Sequence, residues 1–409
     1  METPGYFEFL CPVRIVAGFE ALEEIPALLA SVSARRPMIV TDRGVVSAGL
    51  LDTVRNAMGG RVDVGAVADD VPPDSDLRVV NNLARRWREE GCDSLIAVGG
   101  GSVMDTAKGV NIVVSEGGDD LMAYSGAGVL KRPLRPLLAV PTTAGTGSEV
   151  TLVAVVKDHD RLRKLAFVSP FILPTAAVLD PRMTLSLPPA VTAATGMDAL
   201  AHAVEAYYGL QKNPLSDAHA WEAVRLIGEH LVTATRNPSD RRARLGMALA
   251  ATLAGIAFSN SMVGMVHTLG HAVGAVCGVH HGVCMAVFLP YGLEYNRHRR
   301  DAVMGELLLP LAGAEVYGRI PAEQRTDRVI SHIRHLNEEL HELTGGRHPR
   351  CLKEIADREG RPMVTPEAFP EIAAAARGDG SLFYNPEEMD YDDFIDVLEA
   401  AWEGGHLGR

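Results

Sequence analysis

Short apolar runs, each ending at a glycine, a proline or an aspartate, alternate with amphipathic stretches through about the first 185 residues; after that only helical periodicity remains. An uninterrupted run of aliphatic residues suits a strand covered on both faces, and such strands separated by helices build a parallel sheet. Strands are expected at Met38–Thr41, Val62–Val67, Ser94–Val98, Leu137–Val140, Val150–Val156, Arg163–Val168 and Ala176–Leu179, with a turn at Asp158–Asp160. Helices are expected at 45–58, from the VPPDSDL turn through Glu90, and from Ser102 to Val114. Residues 1–20 read as a short strand pair turning at Ala17–Gly18. From Pro188 onward, helices are expected at about 190–209, 215–235, 240–258, 262–278, 282–298 and 322–343, with loop-rich stretches at 344–366 and 377–388. The fold class is therefore an α/β half with a Rossmann-like parallel sheet over residues 1–185, followed by an all-helical half over 186–409.

Composition narrows the function. A chain of 409 residues can bury two substantial cores, and 47% hydrophobic residues place it among ordinary globular proteins. A net charge of −13 argues against a nucleic acid or an anionic membrane as the main partner. Five cysteines without a CxxC pair suit a reducing cytoplasm. The N-terminus lacks a basic region followed by an apolar core, and no apolar run is long enough for a membrane span.

Two loops carry the chemistry of the first half. Ser94–Val98 runs directly into Gly99-Gly100-Gly101-Ser102 and then a helix. At such a junction, backbone N–H groups and the positive end of the helix dipole face the loop, and glycine lets a phosphate come close. This is not the GxGxxG fingerprint, since Met104 stands where its third glycine would be. The second loop, Pro141-Thr142-Thr143-Ala144-Gly145-Thr146-Gly147-Ser148, is dense in hydroxyl and N–H donors just past a strand end. Open α/β sheets bind ligands in that position. A tight turn and a polar surface loop are the plainer readings of the two.

The helical half holds a set of acids and imidazoles in apolar surroundings. Asp198 and His202 stand four apart, as do His267 and His271, and His281 opens the next segment. Four-residue spacing puts each pair on one helix face. Ala199, Leu200 and Ala201 flank the first pair, and Val266 and Leu269 the second, so these polar groups are expected to be buried and to need a partner. A divalent transition metal would serve them together, and an imidazole and carboxylate set suits iron or zinc. An isolated Asp–His pair of this spacing is otherwise a surface or capping pair.

GGGSVMDTAK (99–108), PTTAGTGSEVT (141–151), TGMDALAHAVEAY (195–207) and the histidines at 267, 271 and 281 together resemble the iron-containing, group III alcohol dehydrogenases. The resemblance covers most of the chain and weakens over the last hundred or so residues. It implies an NAD-dependent, metal-dependent oxidoreductase interconverting small alcohols and aldehydes, with its active site in the cleft between a dinucleotide domain and a helical domain. By that resemblance Asp198, His202, His267 and His281 are the metal ligands, for Fe2+ or else Zn2+, and His271 is a non-ligand histidine able to relay the alcohol proton. Gly99, Gly100, Gly101 and Ser102 would hold the pyrophosphate, and Asp105, Thr142, Thr143, Thr146 and Lys164 would touch the cofactor. Asp42 falls where the family contacts the adenosine ribose; a carboxylate there accepts from both hydroxyls and repels a 2′-phosphate, so NAD is expected over NADP. Its plainer role is a helix N-cap. A homodimer or larger assembly is implied as well.

Two departures stand out. After His281 the family's Gly-x-Ala-Asn-Ala is here Gly282-Val283-Cys284-Met285-Ala286, and an Asn–Pro turn is here Pro72-Pro73-Asp74-Ser75. Cys284 reads as a small buried residue, or as a soft ligand that would favour zinc. Competing readings are a dehydroquinate-synthase-like enzyme on the same fold and a metal-dependent hydrolase.

Overall fold

The computed structural model describes residues 4–159 and 163–408. Contacts divide them into a unit over Leu10–Ser186 and a second unit made of the described residues of Met1–Phe9 and Leu187–Arg409. In the first unit the elements run β1 (Arg14–Ala17), α1 (Ile25–Ser31), β2 (Pro37–Val40), α2 (Arg43–Ser47), α3 (Leu50–Met58), β3 (Ala66–Ala68), α4 (Leu77–Glu89), β4 (Ser94–Gly99), α5 (Gly101–Glu116), β5 (Gly126–Ala127), β6 (Leu137–Pro141), β7 (Val153–Asp158), β8 (Arg163–Val168) and β9 (Ala176–Leu179).

Six strands form a wholly parallel sheet in the order β1-β9-β6-β4-β2-β3. All residues of β2, β4, β6 and β9 are buried, which is why their sequences are apolar without alternation. Successive side chains still point to opposite faces. Met38, Val40, Leu95, Ala97, Leu137 and Ala139 pack with residues of α4 and α5 in one core, while Ile39, Ile96, Val98, Leu138 and Val140 pack with residues of α1 and α3 in the other. The chain leaves β2 outward to β3 and returns on the other side of β2 as β4. That reversal is a topological switch point, and the loops after β2 and β4 flank it. A smaller sheet, β5-β8-β7, pairs β7 and β8 antiparallel and adds Ala154, Val156, Leu165 and Phe167 to the first core.

Three expectations are corrected here, the first being the strand expected at Val62–Val67, which is the shorter β3 over Ala66–Ala68. Among the described residues, the N-terminal stretch contains one strand rather than a pair; β1 runs parallel to β9, Arg14 opposite Ala176, so its hydrogen bonds go to a strand distant in sequence. The helix expected over 45–58 is two, α2 and α3, divided at Gly49, whose left-handed φ of 72° stops one and starts the other. The expected turn at Asp158–Asp160 reaches residue 160, which lies outside the described residues.

The second unit comprises α6 (Pro189–Tyr208), α7 (Pro214–Arg236), α8 (Arg241–Ser259), α9 (Met265–Cys277), α10 (His281–Glu306), α11 (Leu308–Arg319), α12 (Arg325–Leu343), α13 (Phe369–Ala376) and α14 (Tyr391–Glu403). Every residue of α6 from Thr192 to Tyr208 is buried, and α7, α8 and α10 pack around it. Helices hydrophobic on all sides are core helices. Gly282 sets how near α10 comes, because a Cβ there would lie 2.4 Å from the carbonyl oxygen of Ala194 in α6. No helix among the described residues is long and apolar enough to cross a membrane.

Lys108 of α5 is 1% exposed and ties that helix to the segment entering β7. Its ammonium donates to Ser148 Oγ (3.0 Å), Thr151 O (2.9 Å), Thr151 Oγ1 (3.0 Å) and Val153 O (2.9 Å). Burial lowers its pKa from 10.5 to about 8, against the pull of Asp105 and Glu149. Between those values the unfolded chain holds a proton the folded chain has lost, so this group makes stability rise as pH goes from about 8 to 10.5. Over that window, wild type should gain about 2–3 kcal/mol relative to Lys108→Met in urea titrations; a constant difference would show that Lys108 keeps an ordinary pKa.

Candidate functional site

Four side chains from three helices converge in the second unit. Asp198 and His202 share one face of α6, His267 stands in the first turn of α9, and His281 is the first residue of α10. One ligand atom from each lies within 4.8 Å of every other, and this is the one group of its kind among the described residues. His281 Nε2 is 3.4 Å and His202 Nδ1 3.8 Å from Asp198 Oδ1. Asp198 Oδ1, His202 Nδ1 and His267 Nε2 are buried with no hydrogen-bond partner. Buried polar atoms left bare cost free energy each, and three aimed at one place are the arrangement a cation satisfies.

The surroundings keep the imidazoles in ligand form. Burial lowers the pKa of His202 to about 3 and that of His267 well below the ordinary value, so both are neutral and carry a lone pair at physiological pH. Phe258 of α8 stacks on His202 with ring centroids 4.2 Å apart. Glu205, three residues after His202 on α6, lies 2.5 Å from His267 Nδ1 through Oε2, and its Oε1 accepts from Val266 N at 2.9 Å. Burial raises Glu205 to about 7 against the backbone donors. The contact holds the proton of His267 on Nδ1 and turns Nε2 toward the other three ligand atoms; it is the carboxylate–histidine pairing that supports metal ligands.

His271 stands outside the four. Its ring stacks on His281 (centroids 5.3 Å, 18° between planes), and its Nδ1 is 2.8 Å from Asp379 Oδ2. Cys284 is buried one turn beyond His281 and is not among the four ligand atoms.

In the first unit the two expected loops lie side by side at the ends of neighbouring strands. Thr142 N donates to Gly99 O at 3.0 Å. A Cβ on Gly99 would fall 2.5 Å from Val103, and Cβ atoms on Gly100 and Gly101 would press on Thr143 and Thr146 at 3.3 and 3.2 Å. The first turn of α5 carries no acidic side chain, which leaves its N–H end electropositive. Ser102 Oγ accepts from Asp74 N, and Thr146 Oγ1 from Ser148 N. Asp105 points inward: Oδ1 accepts from Ser148 Oγ and Oδ2 from Val155 N, both at 3.0 Å, and burial raises its pKa. Lys164 is exposed on β8, opposite Lys157 of β7. Asp42 caps α2, accepting from Val45 N through Oδ1 at 2.9 Å. The cap uses one oxygen, so the capping role and a ribose contact do not compete for the same atom.

Sequence reasoning passed over Glu205 and Asp379. Glu205 had a signal, an acid one turn past His202 within a helix already judged buried. Asp379 had none, being 108 residues from His271.

Comparison with known proteins supplies a second line. The family model described as iron-containing alcohol dehydrogenase matches residues 12–181, and that for the C-terminal part of the Fe-containing alcohol dehydrogenase family matches residues 192–402. The NAD-dependent methanol dehydrogenase of Bacillus methanolicus is 38% identical over 73% of this chain and 79% of that protein. A solved 1,3-propanediol oxidoreductase superposes with a TM-score of 0.90 at 31% identity, covering 97% of this chain and 100% of the other. The sulfoacetaldehyde reductase of Bifidobacterium kashiwanohense, solved in complex with NAD+, superposes with a TM-score of 0.83 at 27% identity, over 97% of this chain and 99% of the other.

If Glu205 fixes His267 for a metal, Glu205→Gln should weaken divalent-metal binding about 10–100-fold, measured by competition with a chelator. Equal affinity would leave Glu205 a packing residue. Gly282→Ala should weaken it as well, by pushing the first turn of α10 off α6.

Proposed function

Because this chain belongs to the iron-containing alcohol dehydrogenase family, we propose that it is an NAD-dependent enzyme interconverting small primary alcohols and aldehydes by hydride transfer. Asp198, His202, His267 and His281 would hold the divalent metal, Fe2+ first and Zn2+ second. The observation that carries the assignment is the convergence of three buried, partnerless ligand atoms with His281 beside them. A divalent metal in their midst supplies Lewis acidity that lowers the pKa of an alcohol hydroxyl, and NAD supplies the hydride acceptor.

The chain's own residues do the rest. His202 and His267, neutral through burial, keep their lone pairs for the metal without a proton to lose first. Glu205 holds His267 in the required tautomer. His271, half-buried and next to His281, takes the alcohol proton toward solvent, a task suited to imidazole near neutral pH. Gly99, Gly100, Gly101 and Ser102 receive the pyrophosphate at the start of α5, where a Cβ would crowd the neighbouring threonines. Thr142, Thr143, Thr146 and Lys164 line the cofactor, with Asp105 holding Ser148 and β7 behind them. Asp42, at the switch point, receives the adenosine ribose and selects NAD over NADP. The B. methanolicus relative named NAD-dependent and the structural neighbour carrying NAD+ support the cofactor reading.

Protein purified without oxygen should carry close to one iron or zinc per chain by elemental analysis, and at least one small alcohol should yield NADH at 340 nm. Metal-free protein that binds no added Fe2+ or Zn2+, or a panel giving no NADH, would sink the proposal. Asp42→Gly should shift the NAD to NADP ratio of kcat/KM toward NADP by about tenfold or more; an unchanged ratio leaves Asp42 only its cap.

A further inference from the structure

The contact between His271 and Asp379 has the construction of an oriented acid–imidazole pair. Asp379 precedes a short turn, Gly380–Tyr384, and both its carboxylate oxygens are engaged: Oδ1 accepts from Ser381 N (2.8 Å) and Oδ2 faces His271 Nδ1 (2.8 Å). Burial opposes ionisation of Asp379, yet the donors at His271 and Ser381 hold its carboxyl below the usual value. An ionised carboxylate can only accept, so a neutral ring at His271 carries its proton on Nδ1 and its lone pair on Nε2.

The segment carrying Asp379 is fastened to the helix carrying His271. Asn385, 5% exposed, exchanges two hydrogen bonds with the fully buried Asn296 of α10, at 2.9 and 3.0 Å. The same Asn385 Oδ1 accepts from Met265 N, the first residue of α9, at 3.2 Å. A Cβ on Gly264, just before α9, would lie 2.7 Å from that oxygen. Tyr384 O accepts from Leu210 N at 3.0 Å. On its other side the His271 ring stacks on His281. The imidazole is therefore held at Nδ1 and on a face, and one end, Nε2, is left for chemistry.

We propose that Asp379 is the positioning residue for His271, fixing the ring in its Nδ1–H tautomer with Nε2 bare to accept the alcohol proton. The catalytic half of this statement rests on the proposed dehydrogenase function; the tautomer half does not. Asp379 acts through His271 and is not one of the four grouped residues. Without it the ring is free to carry its proton on Nε2, which then has no lone pair left for the alcohol proton, the loss seen when the acid of an acid–imidazole pair is removed.

The test uses full-length, zinc-loaded protein labelled with 15N-histidine. His271 is assigned by the signals lost in His271→Ala. In wild type its Nδ1 should be protonated and its Nε2 bare; in Asp379→Ala the Nδ1–H correlation should vanish or share intensity with an Nε2–H form. Kinetically, Asp379→Ala should lower kcat about 100-fold or more, the scale of a positioned proton-transfer group, with zinc content and alcohol KM held. Placed on His271→Ala, it should lower kcat no further. Asp379→Asn keeps an oxygen for the Ser381 cap and serves where Asp379→Ala fails to fold. An unchanged tautomer, or losses that multiply in the double variant, would overturn the assignment and leave Asp379 a turn residue. The spectroscopic arm needs no turnover, so a chain that oxidises no alcohol refutes the proposed function while this arm still decides the role of Asp379.

Discussion

Bare ligand atoms inside a close-packed helical core are the constraint on which the second unit depends. Asp198, His202 and His267 bring a carboxylate and two imidazoles into a region where α6 is buried from Thr192 to Tyr208. Such groups cost several kcal/mol each if left alone. The helices nonetheless approach closely enough at Gly282 and Ala194 to bring His281 beside Asp198. The four-atom geometry is one a cation could satisfy, and the same burial that raises the cost keeps the imidazoles neutral.

Around that centre, carboxylates do two kinds of work. Asp198 belongs to the four-atom group itself. Glu205 and Asp379 each face the Nδ1 of a histidine, His267 and His271, and so decide which nitrogen of each ring carries the lone pair. Only one of these two histidines belongs to the group. Under the proposed function one chemical device serves both a histidine that holds a metal and one that moves a proton; His267 Nε2 is buried and bare, while the His271 ring stacks on His281. In the first unit the comparable work is done by backbone: glycines at the end of β4 leave room, threonines after β6 fill one side of it, and Lys108 with Asp105 braces the loop from beneath.

Legibility in the sequence followed range. The strands of the parallel sheet and the long helices were readable because each pattern is contained in one segment: the burial of β2, β4, β6 and β9 on both faces writes a continuous apolar run. Two of the elements misread were decided by a distant partner or by one backbone angle. Arg14–Ala17 is a strand because β9 lies beside it, and the break between α2 and α3 rests on the positive φ of Gly49. Glu205 sat within a segment already recognised, but its partner on α9 lies 62 residues away.

By itself the sequence determined the fold class, the strand–glycine–helix junction after β4, and the spacing that puts Asp198 with His202 on one helix face. These are properties of period and of local backbone geometry, and period is written in the chain. The resemblance already set His267 and His281 with that pair and His271 apart, and the structure groups the same four; tertiary structure alone decided that Glu205 and Asp379 face the imidazoles. Those facts depend on how separate helices are packed, at distances of a few ångströms, between residues that no local pattern relates.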